Sequence, residues 1–311
     1  MSIQWFPGHM HKARVEMAEI LPKVDLVIEV IDARIPYSSE NPMLAELRGE
    51  KPCLKVLNKS DLADPELTIQ WRDYLEQQRG VRARSVTTQE PKQIKQLSGL
   101  CAQMFPDKQA IGKNVTAMIC GIPNVGKSTL INILAGRKVA KTGNEPAVTK
   151  GQQRIKLHNG VVLMDTPGVL WPKVDNEKSG YRLATIGSIK DTAMEYEDVS
   201  YFAATYLLEN YPDRLKERYK FDTLPPEPLG VLDAIGKYRG CLNKRGVVDY
   251  DRVGRILLTE LRSGKLGTLT LETPEMMEVE KAAVAKEVSE KAEKKESQKA
   301  ERKARFKRRQ R

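Results

Sequence analysis

Cysteine, aromatic residues and long apolar runs are all scarce in this chain. The four cysteines, Cys53, Cys101, Cys120 and Cys241, are scattered through 311 residues, with no Cys-x-x-Cys pair and no Cys/His grouping at metal-ligand spacing. A disulfide scaffold or a structural zinc therefore has no support, and free thiols in a reducing cytoplasm are expected. The longest apolar run, residues 24–31, is eight residues long and already contains Asp25 and Glu29, whereas a membrane helix needs ~20 apolar residues. No membrane span is expected. The opening stretch MSIQWFPGHMHK lacks the charged-then-apolar order of an export signal, so a cytoplasmic protein is expected.

What is present is an ordinary globular composition, 40% hydrophobic and 30% charged, with an uneven charge. A length of 311 residues suggests about two domains at ~150 residues each. The net charge is +11, yet residues 281–311 hold thirteen Lys and Arg against five Glu, a net +8. The body is thus near neutral, and the surplus points to a polyanionic partner.

Apolar stretches at 24–31 and 52–57 read as buried strands. A helix is predicted after Asp64, with Pro65 at its first position, running through Trp71 to about Gln78. A strand at 81–86, a helix at 91–104 and a strand at 115–120 follow. Strands at 153–157 and 161–164 flank the His158-Asn159-Gly160 turn as a hairpin. This alternation predicts an α/β domain, a mainly parallel sheet with helices on both faces, over residues 1–178. After Asn176 helical periodicity takes over, at 199–209, 230–238 and 250–261. An all-α domain is expected over residues 179–280. Residues 281–311 cannot bury a core and should form a basic tail, disordered or a single helix.

Gly121-Ile122-Pro123-Asn124-Val125-Gly126-Lys127-Ser128 fits G-x-x-x-x-G-K-[ST] between a predicted strand and a helix opening at Thr129. The glycines let backbone amides, those from Val125 to Thr129, wrap phosphates at the positive end of a helix dipole. Lys127 would neutralise the β- and γ-phosphates, and the Ser128 hydroxyl would bind Mg²⁺. Asp165-Thr166-Pro167-Gly168 ends a hairpin strand, where Asp165 can reach the metal through water and the Gly168 amide can meet a γ-phosphate. Asn58-Lys59-Ser60-Asp61 ends another strand and selects the base. The Asp61 carboxylate can accept both the N1–H and the 2-amino hydrogens of guanine, while adenine would leave it desolvated and unpaired. Asn58 would face the other edge of the base, and the Lys59 stem would lie along the ring. Ser85 and Val86, closing the next strand, stand where a backbone amide would touch the guanine oxygen.

The order of these motifs is unusual: base-selecting residues precede the phosphate loop instead of following it. Such rewiring is tolerable where domain termini lie at the surface and close together. Together with Trp5-Phe6-Pro7-Gly8-His9-Met10, the run Ile31-Asp32-Ala33-Arg34-Ile35-Pro36 and the stretch from Asp165 to Pro172, it resembles the circularly permuted ribosome biogenesis GTPase A family. The resemblance reaches to about Glu280. It implies a circularly permuted P-loop GTPase domain over 1–178 and a ribosome- and RNA-binding helical domain over 179–280. It also implies that His9 supplies the catalytic group that Val169-Leu170-Trp171 lacks; read alone, His9 better suits satisfying backbone groups near Trp5 and Phe6. Thr149 aligns with the switch threonine that binds Mg²⁺. Asn124 stands where related enzymes hold K⁺, with a solvent-facing loop amide as the alternative.

For the partner, the resemblance implies the large (50S) ribosomal subunit precursor and 23S-type rRNA, bound with GTP and released after hydrolysis by a monomer, with no DNA expected. Lys237, Arg239, Lys244, Arg245, Arg252, Arg255 and Arg262 are the candidate phosphate contacts beside the tail. The competing reading is a GTP-regulated RNA scaffold with negligible turnover, favoured by the absence of a switch Gln.

Overall fold

The structure is a computed structural model and describes residues 15, 17–140, 153–166 and 176–309. His9, Thr149 and Gly168 lie outside the described residues. Strands β1 (Leu26–Asp32), β2 (Cys53–Asn58), β3 (Val81–Ser85), β4 (Val115–Gly121), β5 (Gln153–Lys156) and β6 (Val161–Asp165) form one sheet in the order β3-β2-β1-β4-β6-β5. All neighbours are parallel except β5 and β6, which form the expected antiparallel hairpin. Every residue of β1 and β2 is buried, which is why these strands read as nearly continuous apolar runs: parallel strands are covered on both faces. One face is sealed by Met17, Ile20, Leu21 and Val24 with Leu44, packed on Val27, Cys53, Val81, Met118 and Cys120.

The helices begin where their capping chemistry dictates. Helix α1 (Pro42–Arg48) is capped by Asn41, whose side chain accepts from the Met43 amide, and α2 (Pro65–Glu76) by Asp64, which accepts from Glu66 and Leu67. Both carry proline in the first turn, where no amide donor is needed. Next come α3 (Pro91–Gln103), α4 (Pro106–Ala110) and α5 (Lys127–Ala135), the last opening directly out of the phosphate-loop motif. Of these, α1 and α4 were not anticipated. The Asn41-Pro42 pair was a readable start signal that its polar surroundings concealed.

Beyond the sheet, α6 (Glu177–Thr185), α7 (Tyr196–Asn210), α8 (Pro212–Tyr219), α9 (Pro228–Tyr238) and α10 (Tyr250–Arg262) pack together. In α10, Val253, Leu257 and Leu261 form a buried stripe, with Ile256 at its margin. The chain divides into two compact units, Met1–Glu272 and Thr273–Arg311, so sheet and helices α6–α10 belong to the same unit. Helix α11 spans Pro274–Arg309. No helix among the described residues is long and apolar enough to cross a membrane. All four cysteines are free and buried, and burial pushes the Cys53 and Cys101 thiols up to about 12, far from reactive thiolates.

Candidate nucleotide site

Five parallel strands end on the candidate residues: β1 on Asp32, β2 on Asn58, β3 on Ser85, β4 on Gly121 and β6 on Asp165. The register sets them side by side, Asp32 opposite Asn58, Leu57 opposite Ser85, and Ile119 opposite Asp165. This carboxyl edge is where open parallel sheets bind ligands.

The phosphate-loop motif lies between β4 and α5 as expected. Gly126 has φ +95°, and a Cβ added there would stand 2.3 Å from Asn58 Nδ2, so both backbone and neighbour demand glycine. At Gly121 a Cβ would meet the Val30 carbonyl at 2.6 Å. Two side chains of the base-selecting motif close onto this loop. Asn58 Nδ2 donates to the Val125 carbonyl at 2.7 Å, and Lys59 Nζ donates to the Asn124 carbonyl at 2.8 Å. Segments more than sixty residues apart are thereby joined, at separations of 67 and 65 positions.

Lys59 is itself held from behind. Asp32 Oδ2 lies 3.0 Å from its Nζ, and the same carboxylate receives Arg34 through Nε at 2.9 Å and Nη2 at 2.8 Å. Burial alone would raise the Asp32 pKa, but Arg34 and Lys59 hold it well below the usual carboxylate range. Asp32 and Arg34 entered the sequence reading only as part of a motif, and their organising role depends on contacts that the motif does not display.

Asp61 sits in a short 3-10 turn, Ser60–Leu62, half-exposed, with one carboxylate oxygen accepting from Gln89 Nε2 at 3.0 Å. Gln89 was missed, since nothing local distinguishes it from any polar loop residue. The Val86 amide donates to the Leu57 carbonyl at 2.9 Å and so continues the sheet ladder, while its carbonyl accepts from Ser60 at 3.2 Å. Ser85 closes β3 half-buried beside it.

At the phosphate end, Lys127 Nζ is ion-paired with Asp165 Oδ1, both buried. Asp165 Oδ2 and Asn58 Oδ1 are buried without a hydrogen-bond partner among the described residues. Orphaned buried oxygens are costly and mark places where a donor or cation belongs. A carboxylate oxygen and the hydroxyl of Ser128, at the start of α5, form a hard-oxygen donor set that fits Mg²⁺. The Asn124 amide is committed on one side: its Nδ2 donates to the Gly187 carbonyl at 2.8 Å, tying the phosphate loop to the end of α6.

The basic residues of the helical region split into two groups. Arg239 pairs with buried Glu260, Arg262 donates to the carbonyls of Ala184 and Thr185 at 2.7 and 2.9 Å, and Arg255 pairs with Asp251 over the Tyr196 ring. Arg239 and Arg262 are thus engaged with the fold, whereas Arg255 and its partner remain at the surface. Lys237, Lys244, Arg245 and Arg252 are exposed, Lys244 and Arg245 at the tip of a turn closed by the Leu242–Val248 bridge.

Residues 116–209 match the family model described as 50S ribosome-binding GTPase. The match begins at β4, so the base-selecting motif falls ahead of it, as a circular permutation requires. The ribosome biogenesis GTPase A of Priestia megaterium is 48% identical over 282 residues, covering 88% of this chain and 98% of its own length. That of Bacillus cereus is also 48% identical, covering 88% and 95%. Among solved structures, GNP-bound YlqF from Thermotoga maritima superposes with a TM-score of 0.58 at 27% identity, covering 85% of this chain and 99% of that one.

Proposed function

The chain belongs to the ribosome biogenesis GTPase A family, and from that premise we propose that this GTPase acts on the large ribosomal subunit precursor, binding with GTP and leaving after hydrolysis. One observation carries the reading: Asn58 and Lys59 of the base-selecting strand clasp the carbonyls of Val125 and Asn124 in the phosphate loop. A purine held by Asp61 would thus be continuous with phosphates held by the loop.

In this reading Asp61 accepts the N1–H and 2-amino hydrogens of guanine, and Asn58 and the Lys59 stem flank the ring. Ser85 and Val86 close the strand at the base end, where a backbone amide would touch the guanine oxygen. The amides from Val125 to Thr129 receive the phosphates, with Lys127 turning from Asp165 to the β- and γ-phosphates. Ser128, Thr149 and, through water, Asp165 would hold Mg²⁺, which supplies charge neutralisation between those phosphates. Gly168 would sense the γ-phosphate, and Asn124 would supply its amide oxygen to K⁺. Val169-Leu170-Trp171 offers no Gln to orient the attacking water, and the family resemblance assigns that part to His9, a neutral imidazole being able to accept the proton or hydrogen bond. The partner is 23S-type rRNA in the precursor particle, gripped through phosphates by the exposed Lys237, Lys244, Arg245 and Arg252 with the tail. A cytoplasmic monomer suffices for this cycle.

The test is GTP hydrolysis measured with and without large-subunit particles. Strong stimulation is expected, lost in His9→Ala, together with co-sedimentation that depends on a non-hydrolysable GTP analogue. No stimulation and an inert His9→Ala would leave an RNA scaffold that merely holds nucleotide.

A further inference from the structure

After α10 the chain turns back and lays residues 266–272 across the sheet domain. Leu266, Leu269, Thr270, Leu271 and Glu272 are all buried. Its backbone and side chains bond three separate places. The Leu271 amide donates to the Arg34 carbonyl at 2.8 Å, next to the Asp32–Arg34 pair. The Glu272 carbonyl accepts Trp71 Nε1 at 3.0 Å, and its carboxylate receives the Ser38 amide and hydroxyl at 3.0 and 2.6 Å. The third place is the turn that carries Asp61. Leu269 N donates to the Leu62 carbonyl at 3.1 Å, and the Asp64 amide donates to Thr270 Oγ1 at 3.1 Å, across 206 positions of sequence.

The turn from Lys59 to Asp64 is secured at its entry by the Asn58 and Lys59 bonds to the phosphate loop. Its interior is short: Ser60 N to Val86 O, Leu62 N to Lys59 O and Ala63 N to Ser60 O. Its exit, the residues immediately after Asp61, is bonded by residues 269 and 270. Thr270 is gripped from its other side by Tyr211, whose hydroxyl accepts the Thr270 amide at 3.0 Å and donates to its carbonyl at 3.1 Å. Tyr211 joins α7 to α8, so the exit of the base turn is anchored to the helical region.

The geometry points to Thr270 as a positioning residue for base selection: the returning segment sets where the Asp61 turn ends, and guanine discrimination depends on it. This inference rests on the reading of Asp61 as the group that accepts the guanine 2-amino hydrogens. Hydrogen-bond recognition of that kind is lost when donors and acceptor shift by a fraction of an ångström. Contacts to the phosphates are made by a different loop, bonded to the entry of the turn and not to its exit, and would be affected less by such a shift. A purely architectural segment would instead weaken every nucleotide alike.

The measurement is the affinity of the full chain for GDP and for IDP, which lacks the 2-amino group. Thr270→Val keeps the shape and removes the acceptor for the Asp64 amide. It should lower GDP affinity by about 3- to 10-fold, the worth of one or two hydrogen bonds, and IDP affinity by clearly less. Thr270→Ser should restore the GDP:IDP ratio. Tyr211→Phe, a milder change that removes the hydroxyl anchoring Thr270, should move the ratio in the same direction and serves if Thr270→Val fails to fold. Equal losses for the two nucleotides, or an unchanged ratio in both variants, overturn the proposal. Asp61→Asn separates the premise from the inference. If it does not transfer preference from GDP to XDP, the base reading itself has failed. If it does and the ratio stays unchanged in the Thr270 and Tyr211 variants, only the positioning role falls.

Discussion

Replacing Arg34 by Met tests the electrostatic frame behind the base turn. The Arg34 and Asp32 side chains are 2% and 0% exposed and meet in a bidentate pair. Removing one partner of a buried ion pair costs ~3–5 kcal/mol, because the remaining charge stays desolvated. Asp32 would keep Lys59 Nζ at 3.0 Å and the residue 34 amide at 3.1 Å, so the low end, about 3 kcal/mol, is expected. Asp32→Leu combined with Arg34→Met removes both charges and should cost less than the two single changes summed, with a coupling of ~1.5–3 kcal/mol. Urea unfolding of the four proteins, read as midpoint shifts at constant slope, measures this. The acid limb gives a second readout. A carboxyl held low in the fold contributes stability above its ordinary pKa of 3.8 and loses it as pH falls below that. Arg34→Met, with Asp32 held less low, should therefore lose less stability than the parent as pH falls below 3.8. A single variant within ~1 kcal/mol of the parent, or an additive double variant, would refute the reasoning.

Gly126→Ala must place a Cβ 2.3 Å from Asn58 Nδ2 at φ +95°, displacing the clasp to Val125. Nucleotide binding should collapse, while stability falls by only ~1–3 kcal/mol; near-parent affinity in a titration contradicts this. Burial raises the Glu272 pKa to about 7, with Arg182 and Ser38 pulling the other way. A proton held more tightly in the fold means stability is full below the ordinary pKa of 4.5 and declines as pH rises to about 7, by up to ~3 kcal/mol. Glu272→Gln should flatten that window, and parallel urea midpoints between pH 5 and 8 would exclude a Glu272 contribution. Deleting residues 281–311, with their thirteen basic side chains, should weaken rRNA binding and flatten its salt slope without altering basal GTP hydrolysis. A changed basal rate would mean that the tail acts on the catalytic domain.

Local chemistry made much of this molecule legible. Asp64-Pro65 announced α2, the spacing from Gly121 to Ser128 announced a loop between strand and helix, and alternating apolar runs announced the parallel sheet. The strand ends Asn58, Ser85 and Asp165 were found for the same reason: each terminates a buried run. Partnerships across the fold were not legible. Nothing near Gln89 signals that it bonds Asp61, and nothing near Thr270 signals a bond 206 positions back. Nor does sequence reveal that the ladder to Leu57 runs one residue further, through the Val86 amide. The basic residues of α9 and α10 misled in the opposite way. A string of charges looks like one surface, but Glu260 and the end of α6 draw Arg239 and Arg262 inward.

The strand order carries a mechanical consequence. Strands 1–3 form one contiguous half of the sheet and strands 4–6 the other, and the ladder joins the halves where β1 pairs with β4. Guanine would rest on the first half and the phosphates on the second, making the nucleotide a crossbar over that joint. Its arrival should slow amide exchange along the β1–β4 joint more than at the outer strands.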